Sequence, residues 1–265
     1  MRRTPALSIL LAVALAGAAS AQSELQTEVL ARVVPVVGST PGSNDSFFRT
    51  GLQLRNAGSA SLSGKFVYHP AFGSSQPSDP SLPFTLPAGE TISYADIVDE
   101  MGITGLGSLD LMLPPASASP VIVTRVFNDA GPAGTSGFNE EAVDPTQRGV
   151  GSPVLTGTTL GILVAPSDLT RFRFNIGARS LASGVGITII VRDASGESVH
   201  FRQKSLDPNY FVQQTAADFL GVTLAPNDSI EFRIDRGSAI LYGATTDNTT
   251  NDPSIQYARV VLASP

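Results

Sequence analysis

Oxygen-bearing side chains are concentrated in the segment TTDNTTNDPS, residues 245–254. Asp247, Asn248, Asn251 and Asp252 bring carboxylate and amide oxygens close together, and hard oxygen ligands of this kind suit Ca²⁺. The segment lacks the spacing and the final Glu of an EF-hand, and Asn and Asp also form turns through their own side-chain hydrogen bonds. A turn is therefore the favoured interpretation, and Ca²⁺ binding is the alternative.

Groups suited to nucleophilic or acid-base catalysis are few. The chain has 2 His and no Cys, which excludes thiol chemistry and cysteine-ligated metals. His69 and His200 follow different elements without a partner motif, so each is interpreted as a surface or rim residue. The sequence contains no nucleophile elbow, zinc-binding H-E-x-x-H or phosphate loop. We therefore predict no catalytic residue, no cofactor and no enzymatic activity.

A hydrolase that uses carboxylates is one alternative function. Asp96, Asp99 and Glu141 belong to two short acidic clusters, and glycoside hydrolysis needs two carboxylates on either side of a cleft. Spacing in the sequence does not show such a cleft. Acidic residues in a short amphipathic helix normally face water, so a solvated helix face is the favoured interpretation of Asp96 and Asp99.

A glycan-binding accessory module is the other alternative. Its candidate residues are Tyr210 and Phe211, together with Asp247 and Asn248, all near predicted loops. The chain has no Trp and only 5 Tyr, and aromatic stacking is what a sugar platform needs. Packing beneath the loops is therefore the favoured role of these aromatic residues.

The elements that would position these groups occur twice. The segments SFFRTGLQLRN (46–56) and TRFRFNIGARS (170–180) both alternate large apolar residues with polar or small ones, as half-buried strands do. Each lies in a series of five strands and one short helical segment that recurs in the same order. A shared order of six elements indicates an internal duplication into tandem domains.

The alternation predicts which side chains fill the cores. Apolar residues at every second position face inward and provide most of the stabilisation through burial. The predicted core residues are Phe48, Leu52, Leu54, Leu109, Leu111, Phe172, Phe174, Ile176, Ile230, Phe232 and Ile234.

The charged residues between these core positions are expected to face outward and to pair across strands. In the second unit Arg171 and Arg173 are predicted to lie opposite Glu231 and Asp235. In the first unit Arg49 and Arg55 are predicted to lie opposite Asp110.

The fold prediction is all-β, with two tandem immunoglobulin-like β-sandwich domains that each contain one short crossover helix. Short strands separated by Gly, Pro and Asn turns favour a sandwich or barrel. The predicted domains are residues 22–145 and residues 146–265, divided within a segment rich in Gly and Pro.

The N-terminus predicts export. A short basic region, an apolar run and an Ala-Ser-Ala pattern are typical of a signal peptide over residues 1–21, cleaved between Ala21 and Gln22. No other segment approaches the roughly 20 apolar residues that a membrane span needs. The net charge of −6 becomes more negative once Arg2 and Arg3 are removed, which opposes nucleic-acid binding.

The segments FFRTGLQLRN, FRFNIG and YGATTDNTTNDPS make the chain resemble uncharacterised bacterial secreted proteins made of tandem immunoglobulin-like modules. The resemblance implies an exported pair of β-sandwiches and brings no known catalytic residue. The sequence therefore predicts a non-catalytic exported protein at the cell surface, in the periplasm or in the medium. Its expected role is interaction with an extracellular protein or glycan, or surface architecture.

Overall fold

A computed structural model describes residues 28–261 of the chain. The predicted signal peptide and its cleavage site between Ala21 and Gln22 lie outside these residues. The described chain is built from antiparallel strands in two sheets, one formed by its first part and one by its second.

The first part of the chain forms the first sandwich. Its strands follow the spatial order β4-β3-β6-β1-β2-β7-β8, with β5 beside β2. Strand β1 pairs with β6 over most of its length and with β2 at Thr40 and Pro41, so it joins both layers. The elements are β1 (Val29–Pro41), β2 (Phe47–Arg55), β3 (Leu62–Pro70), β4 (Ser81–Leu86), β5 (Thr91–Tyr94), α1 (Ile97–Glu100), β6 (Gly105–Leu113), β7 (Val121–Asp129), a 3-10 helix (Gly131–Ala133) and β8 (Thr135–Glu140).

The second part forms the second sandwich around two long strands, β11 and β14. These two strands pair along nearly their whole length. The first half of β11 also pairs with β13, and its second half pairs with β12. The elements are β9 (Val154–Thr156), β10 (Leu160–Val164), β11 (Phe172–Arg192), β12 (Ser198–Leu206), β13 (Phe211–Thr215), α2 (Ala216–Leu220), β14 (Ser229–Asp247), β15 (Pro253–Tyr257) and β16 (Val260–Val261).

The all-β fold with two sandwiches and one short helix in each is confirmed. Helix α1 leads from β5 to β6, and α2 leads from β13 to β14, so each connects strands of different layers. Strand pairing passes from the first sheet to the second between Glu140 and Val154. The predicted division between residues 145 and 146 lies in this connection.

The sequence predicted two strands in each of the regions that form β11 and β14, and the structure joins them. The two halves meet at a bulge, where the register shifts between Ser180 and Val185. Gly184 and Gly237 have φ angles of +66° and +73°, and a Cβ on Gly237 would lie 2.0 Å from the Gly184 carbonyl oxygen. Only glycine fits there, so the long strands bend without ending.

Apolar side chains from both layers meet in each core. Nine of the predicted core residues are buried, namely Leu52, Leu54, Leu109, Leu111, Phe174, Ile176, Ile230, Phe232 and Ile234. Phe48 and Phe172 are only partly buried, which corrects their assignment to the cores. They stand near strand ends and line a cleft between the sandwiches.

The predicted ion pairs of the second sandwich are wrong because the register differs from the one assumed. Phe172 lies opposite Asp247, so the start of β11 is beside the end of β14. Arg171 therefore pairs with Asp247 at 2.9 Å, whereas Glu231 pairs with Arg192 at 2.6 Å.

The predicted pairs of the first sandwich are also wrong. Arg49 pairs with Asp96 and Asp129, at 3.1 and 2.9 Å, because β2 lies beside β7 rather than β6. Arg55 donates to the Gly89 carbonyl oxygen. Asp110 faces the second sandwich and has other partners, which are described below.

Gly177 makes room for a buried aromatic ring. A Cβ at this position would lie 1.9 Å from the ring of Tyr242, which is fully buried. We expect Gly177→Ala to lower the free energy of unfolding by about 1 to 3 kcal/mol, the usual cost of overpacking. Urea unfolding measures this loss. Gly157→Ala is the matched control, because no atom lies within 4 Å of a Cβ there, and equal stability of the two variants would contradict the prediction.

Candidate functional site

A cleft of about 580 Å³ lies between the two sandwiches. The first sandwich contributes the end of β1, Phe48 of β2, Val126 of β7 and Phe138 of β8. The second contributes the start of β11, the beginning of α2 and part of β14. The size is that of a small-molecule site.

Most of the cleft wall is apolar. Phe48, Val126, Phe138, Phe172 and Phe174 all line it. Phe48 lies in the first sandwich and Phe172 in the second, so each sandwich presents an aromatic residue to the cleft. An apolar space with a few polar groups at its edge is the usual form of a ligand pocket.

Arg173 is the one charged side chain among the described residues that line the cleft. Its Nη1 donates to the Asn248 side-chain oxygen at 3.3 Å, and its Nη2 donates to the Asn251 side-chain oxygen at 3.0 Å. Burial lowers the pKa of Arg173, and the nearby charge of Asp247 opposes this effect. The group remains a cation, because arginine is protonated throughout the working pH range.

The loop after β14 forms a hydrogen-bonded turn at the cleft edge. Asp247 accepts from the backbone N–H groups of Thr250 and Thr249 and from Arg171. These bonds, in that order, lower the pKa of Asp247 to about 2. Asn251 donates across to the Asn44 carbonyl oxygen of the first sandwich, at 2.8 Å.

Three of the four calcium-ligand candidates, Asp247, Asn248 and Asn251, have protein partners for their side-chain oxygens. The Asn248 and Asn251 side-chain oxygens accept from Arg173, and both Asp247 oxygens accept hydrogen bonds, while Asp252 is exposed. Within residues 28–261, no group of three or more His, Cys, Asp or Glu side chains could hold a metal ion.

A buried polar chain joins the sandwiches near the cleft. Arg179 of β11 has no exposed surface and donates from Nη2 to Asp110 of β6 at 2.8 Å. His69 lies 2.9 Å from the same Asp110 oxygen through Nε2 and 2.8 Å from Asp79 through Nδ1.

Charge compensation decides the ionisation of Asp110. Burial alone would raise the pKa of this carboxyl, but the Arg179 guanidinium and the His69 ring hold the pKa below its ordinary value. Asp110 is therefore the anion that compensates Arg179 inside the interface.

His69 was interpreted as a surface or rim residue, and this is wrong. Its exposure is only 3%, and its ring lies between Asp79 and Asp110, the second of which pairs with Arg179. The other histidine, His200, is partly buried, and its Nε2 lies 3.0 Å from the Leu220 carbonyl oxygen.

A second buried carboxyl bridges the interface. Glu140 of the first sandwich accepts from Tyr257 of the second at 2.7 Å and from the Val36 N–H at 3.3 Å. Its Oε2 is buried without a hydrogen-bond partner among the described residues. Burial therefore raises the pKa of Glu140 to about 8.

The residues of the two alternative functions have structural partners. Phe211 is fully buried in the interface and Tyr210 packs against the second core. Asp96 caps helix α1 and pairs with Arg49, Asp99 is exposed, and Glu141 pairs with Arg259. No described contact joins Asp96 or Asp99 to Glu141.

Sequence reasoning missed Arg179, Glu140 and the cleft itself. The outer face of each sandwich was expected to meet water, whereas part of it is covered by the other sandwich. One signal was present, since Arg179 and Asn175 lie on the side of β11 opposite the core residues Phe174, Ile176 and Ala178. That signal does not distinguish a solvated arginine from one covered by a second domain.

Comparison with known proteins identifies no family. No family model matches the sequence, and no curated protein matches it significantly. Neither helix in residues 28–261 has the length and apolar character needed to cross a membrane. The site is therefore defined by its geometry alone.

Proposed function

We propose that this chain is a non-catalytic exported protein whose two sandwiches act as one interaction module, with the cleft between them as its binding site. The observation that carries the proposal is the cleft of about 580 Å³, whose aromatic wall comes from both sandwiches. An apolar concave site buries apolar parts of a ligand. The partner therefore presents an apolar group.

The interface supports a fixed cleft. Its apolar cluster contains Val36 of the first sandwich with Phe211 and Tyr242 of the second. Backbone hydrogen bonds also cross it, from the Phe72 N–H to the Phe211 carbonyl oxygen at 2.8 Å and from the Phe211 N–H to the Gly73 carbonyl oxygen at 3.2 Å. Apolar packing and backbone hydrogen bonds across the interface favour one arrangement of the two walls.

The proposed location rests on the sequence. The predicted signal peptide supports a location outside the cytoplasm, and the absence of Cys means that the fold relies on burial rather than disulfides. The acidic chain opposes binding to nucleic acid and adhesion to an anionic membrane surface. An extracellular partner with an apolar group fits these conditions.

Filling the cleft tests the proposal. Ala217 lines the cleft at the exposed beginning of α2, so Ala217→Trp places an indole in the space without disturbing a core. We expect this variant to weaken binding of the neutral dye N-phenyl-1-naphthylamine by about tenfold, equivalent to about 1.4 kcal/mol. Dye fluorescence during titration of the purified chain measures the affinity.

Ala194→Trp is the matched control for this experiment. Ala194 is exposed in the turn between β11 and β12 and does not line the cleft. The chain has no natural Trp, so the emission of each new indole also reports whether it is in an apolar environment. The proposed site is wrong if the wild-type chain does not bind the dye, or if both variants bind it as well as the wild type does.

A further inference from the structure

We propose that the cleft binds a fatty carboxylate, with its chain against the aromatic wall and its carboxylate at Arg173. The proposal rests on the cleft being a binding site and goes beyond it by naming the ligand class. Among the described residues that line the cleft, Arg173 is the one with a charged side chain. The rest of the cleft wall is largely apolar. The ligand complementary to such a space has an apolar body and one negative charge.

Arg173 retains donors for a ligand. Its hydrogen bonds use Nη1, to the Asp247 carbonyl oxygen and the Asn248 side chain, and Nη2, to the Asn251 side chain. A guanidinium has five N–H donors. Its Nε–H and one Nη2–H have no acceptor in residues 28–261, and this pair of donors matches the two oxygens of a carboxylate.

The charge of Arg173 is not matched by an ion pair with any carboxylate in residues 28–261. All three of its acceptors are neutral oxygens. The nearest acidic group, Asp247, already pairs with Arg171 at 2.9 Å. A partly buried cation without its own counterion gains more from an anion than a solvated surface arginine does, because solvent screens it less.

The aromatic wall suits an alkyl chain. Phe48 and Phe138 of the first sandwich line the same space as Arg173, so an apolar chain bound at the guanidinium can be removed from water along its length. Burial of methylene groups is favourable at each step of the chain. A fatty carboxylate places its alkyl chain against the aromatic wall and its negative charge at the Arg173 cation.

Three decyl compounds with different head groups test the ligand class. Decanoate, decan-1-ol and decyltrimethylammonium are each used, below their aggregation concentrations, to displace N-phenyl-1-naphthylamine from the full mature chain. We expect decanoate to bind about tenfold more tightly than decan-1-ol, the range of a charge-assisted hydrogen bond. The ammonium compound is expected to bind more weakly than the alcohol.

Variants of Arg173 test whether this residue causes the preference for decanoate over decan-1-ol. Arg173→Gln is expected to weaken decanoate binding by about tenfold and to leave decan-1-ol within about twofold, because only the charge-assisted contact is lost. Arg173→Lys keeps the charge and is expected to retain the preference for decanoate over decan-1-ol, although a lysine lacks the two-pronged geometry. Arg125→Gln is the control for net charge, since Arg125 is exposed on β7 and outside the cleft.

The outcomes separate this proposal from the proposed function. Equal binding of decanoate and decan-1-ol, or an unchanged preference in Arg173→Gln, would overturn the carboxylate assignment while apolar binding stands. Failure of the dye itself to bind the wild-type chain would overturn the binding function. Thermal unfolding of each variant confirms that the compared proteins are folded.

Discussion

Asp110→Asn is expected to lower the free energy of unfolding by about 3 to 5 kcal/mol, the cost of leaving a buried charge without its counterion. Arg179 has no exposed surface, and Asp110 is its only carboxylate partner among residues 28–261. The amide keeps the shape of the side chain but removes the negative charge. Urea unfolding at neutral pH, followed by circular dichroism, measures the loss.

Two further variants make the result specific to the buried charge. Asp235→Asn changes an exposed strand aspartate that accepts from Thr188, and its effect is expected to stay within about 0.5 kcal/mol. The double variant Asp110→Asn with Arg179→Met removes both charges and is expected to be more stable than Asp110→Asn alone. A loss below about 1 kcal/mol in Asp110→Asn would contradict the role assigned to the ion pair.

Alternation in the sequence was sufficient to predict the β fold and most of each core. Strands with apolar residues at every second position must bury one face, and Phe174, Ile176 and Phe232 do so. Phe48 and Phe172 are exceptions, because alternation predicted them to be core residues and they are only partly buried. Alternation assigns a side chain to one face of a strand, but a residue near the strand end can lie beside a cleft rather than inside the core.

Strand pairing could not be predicted with the same information. The predicted ion pairs assumed that the segment around Arg171 lies beside the segment around Glu231. In the structure the two long strands instead align the start of β11 with the end of β14. Register depends on contacts distant in sequence, and glycine bulges at Gly184 and Gly237 allow each strand to continue through both layers.

The candidate site was not predictable because it belongs to the contact between the sandwiches. Arg179 and Glu140 lie on faces where the two sandwiches meet. Their burial follows from the position of the second sandwich, and local sequence carries no measure of that position. Arg179 with Asp110, and Glu140 with Tyr257, connect the two halves of the molecule.

Glu140→Gln is expected to remove a component of the pH dependence of stability. Burial raises the pKa of Glu140 to about 8, from an ordinary value of 4.5, so the folded chain keeps a proton that the unfolded chain releases. The unfolded state then binds fewer protons, and the free energy of unfolding falls as the pH rises from about 4.5 to about 8. A shift of this size corresponds to about 3 to 5 kcal/mol over the window.

The structural reason lies in the unpartnered oxygen. When Glu140 ionises, its Oε2 holds negative charge in the interface without a hydrogen-bond donor among the described residues, and Glu141 adds to the repulsion. Tyr257 and Tyr242 remain neutral in the window, because burial raises the pKa of both phenols. Glutamine keeps the oxygen that accepts from Tyr257 and does not titrate.

Urea unfolding at about pH 5 and about pH 9 distinguishes this effect from other titrations. The wild-type chain is expected to lose more stability than Glu140→Gln between these values, and Glu197→Gln, which changes an exposed turn residue, is expected to behave as the wild type does. Asp110 and Asp247 do not contribute in this window, because their pKa values are lowered and their stabilisation is lost only under more acidic conditions. Parallel pH profiles for the wild type and Glu140→Gln would show that Glu140 is ionised in the folded interface, contrary to the geometry around its Oε2.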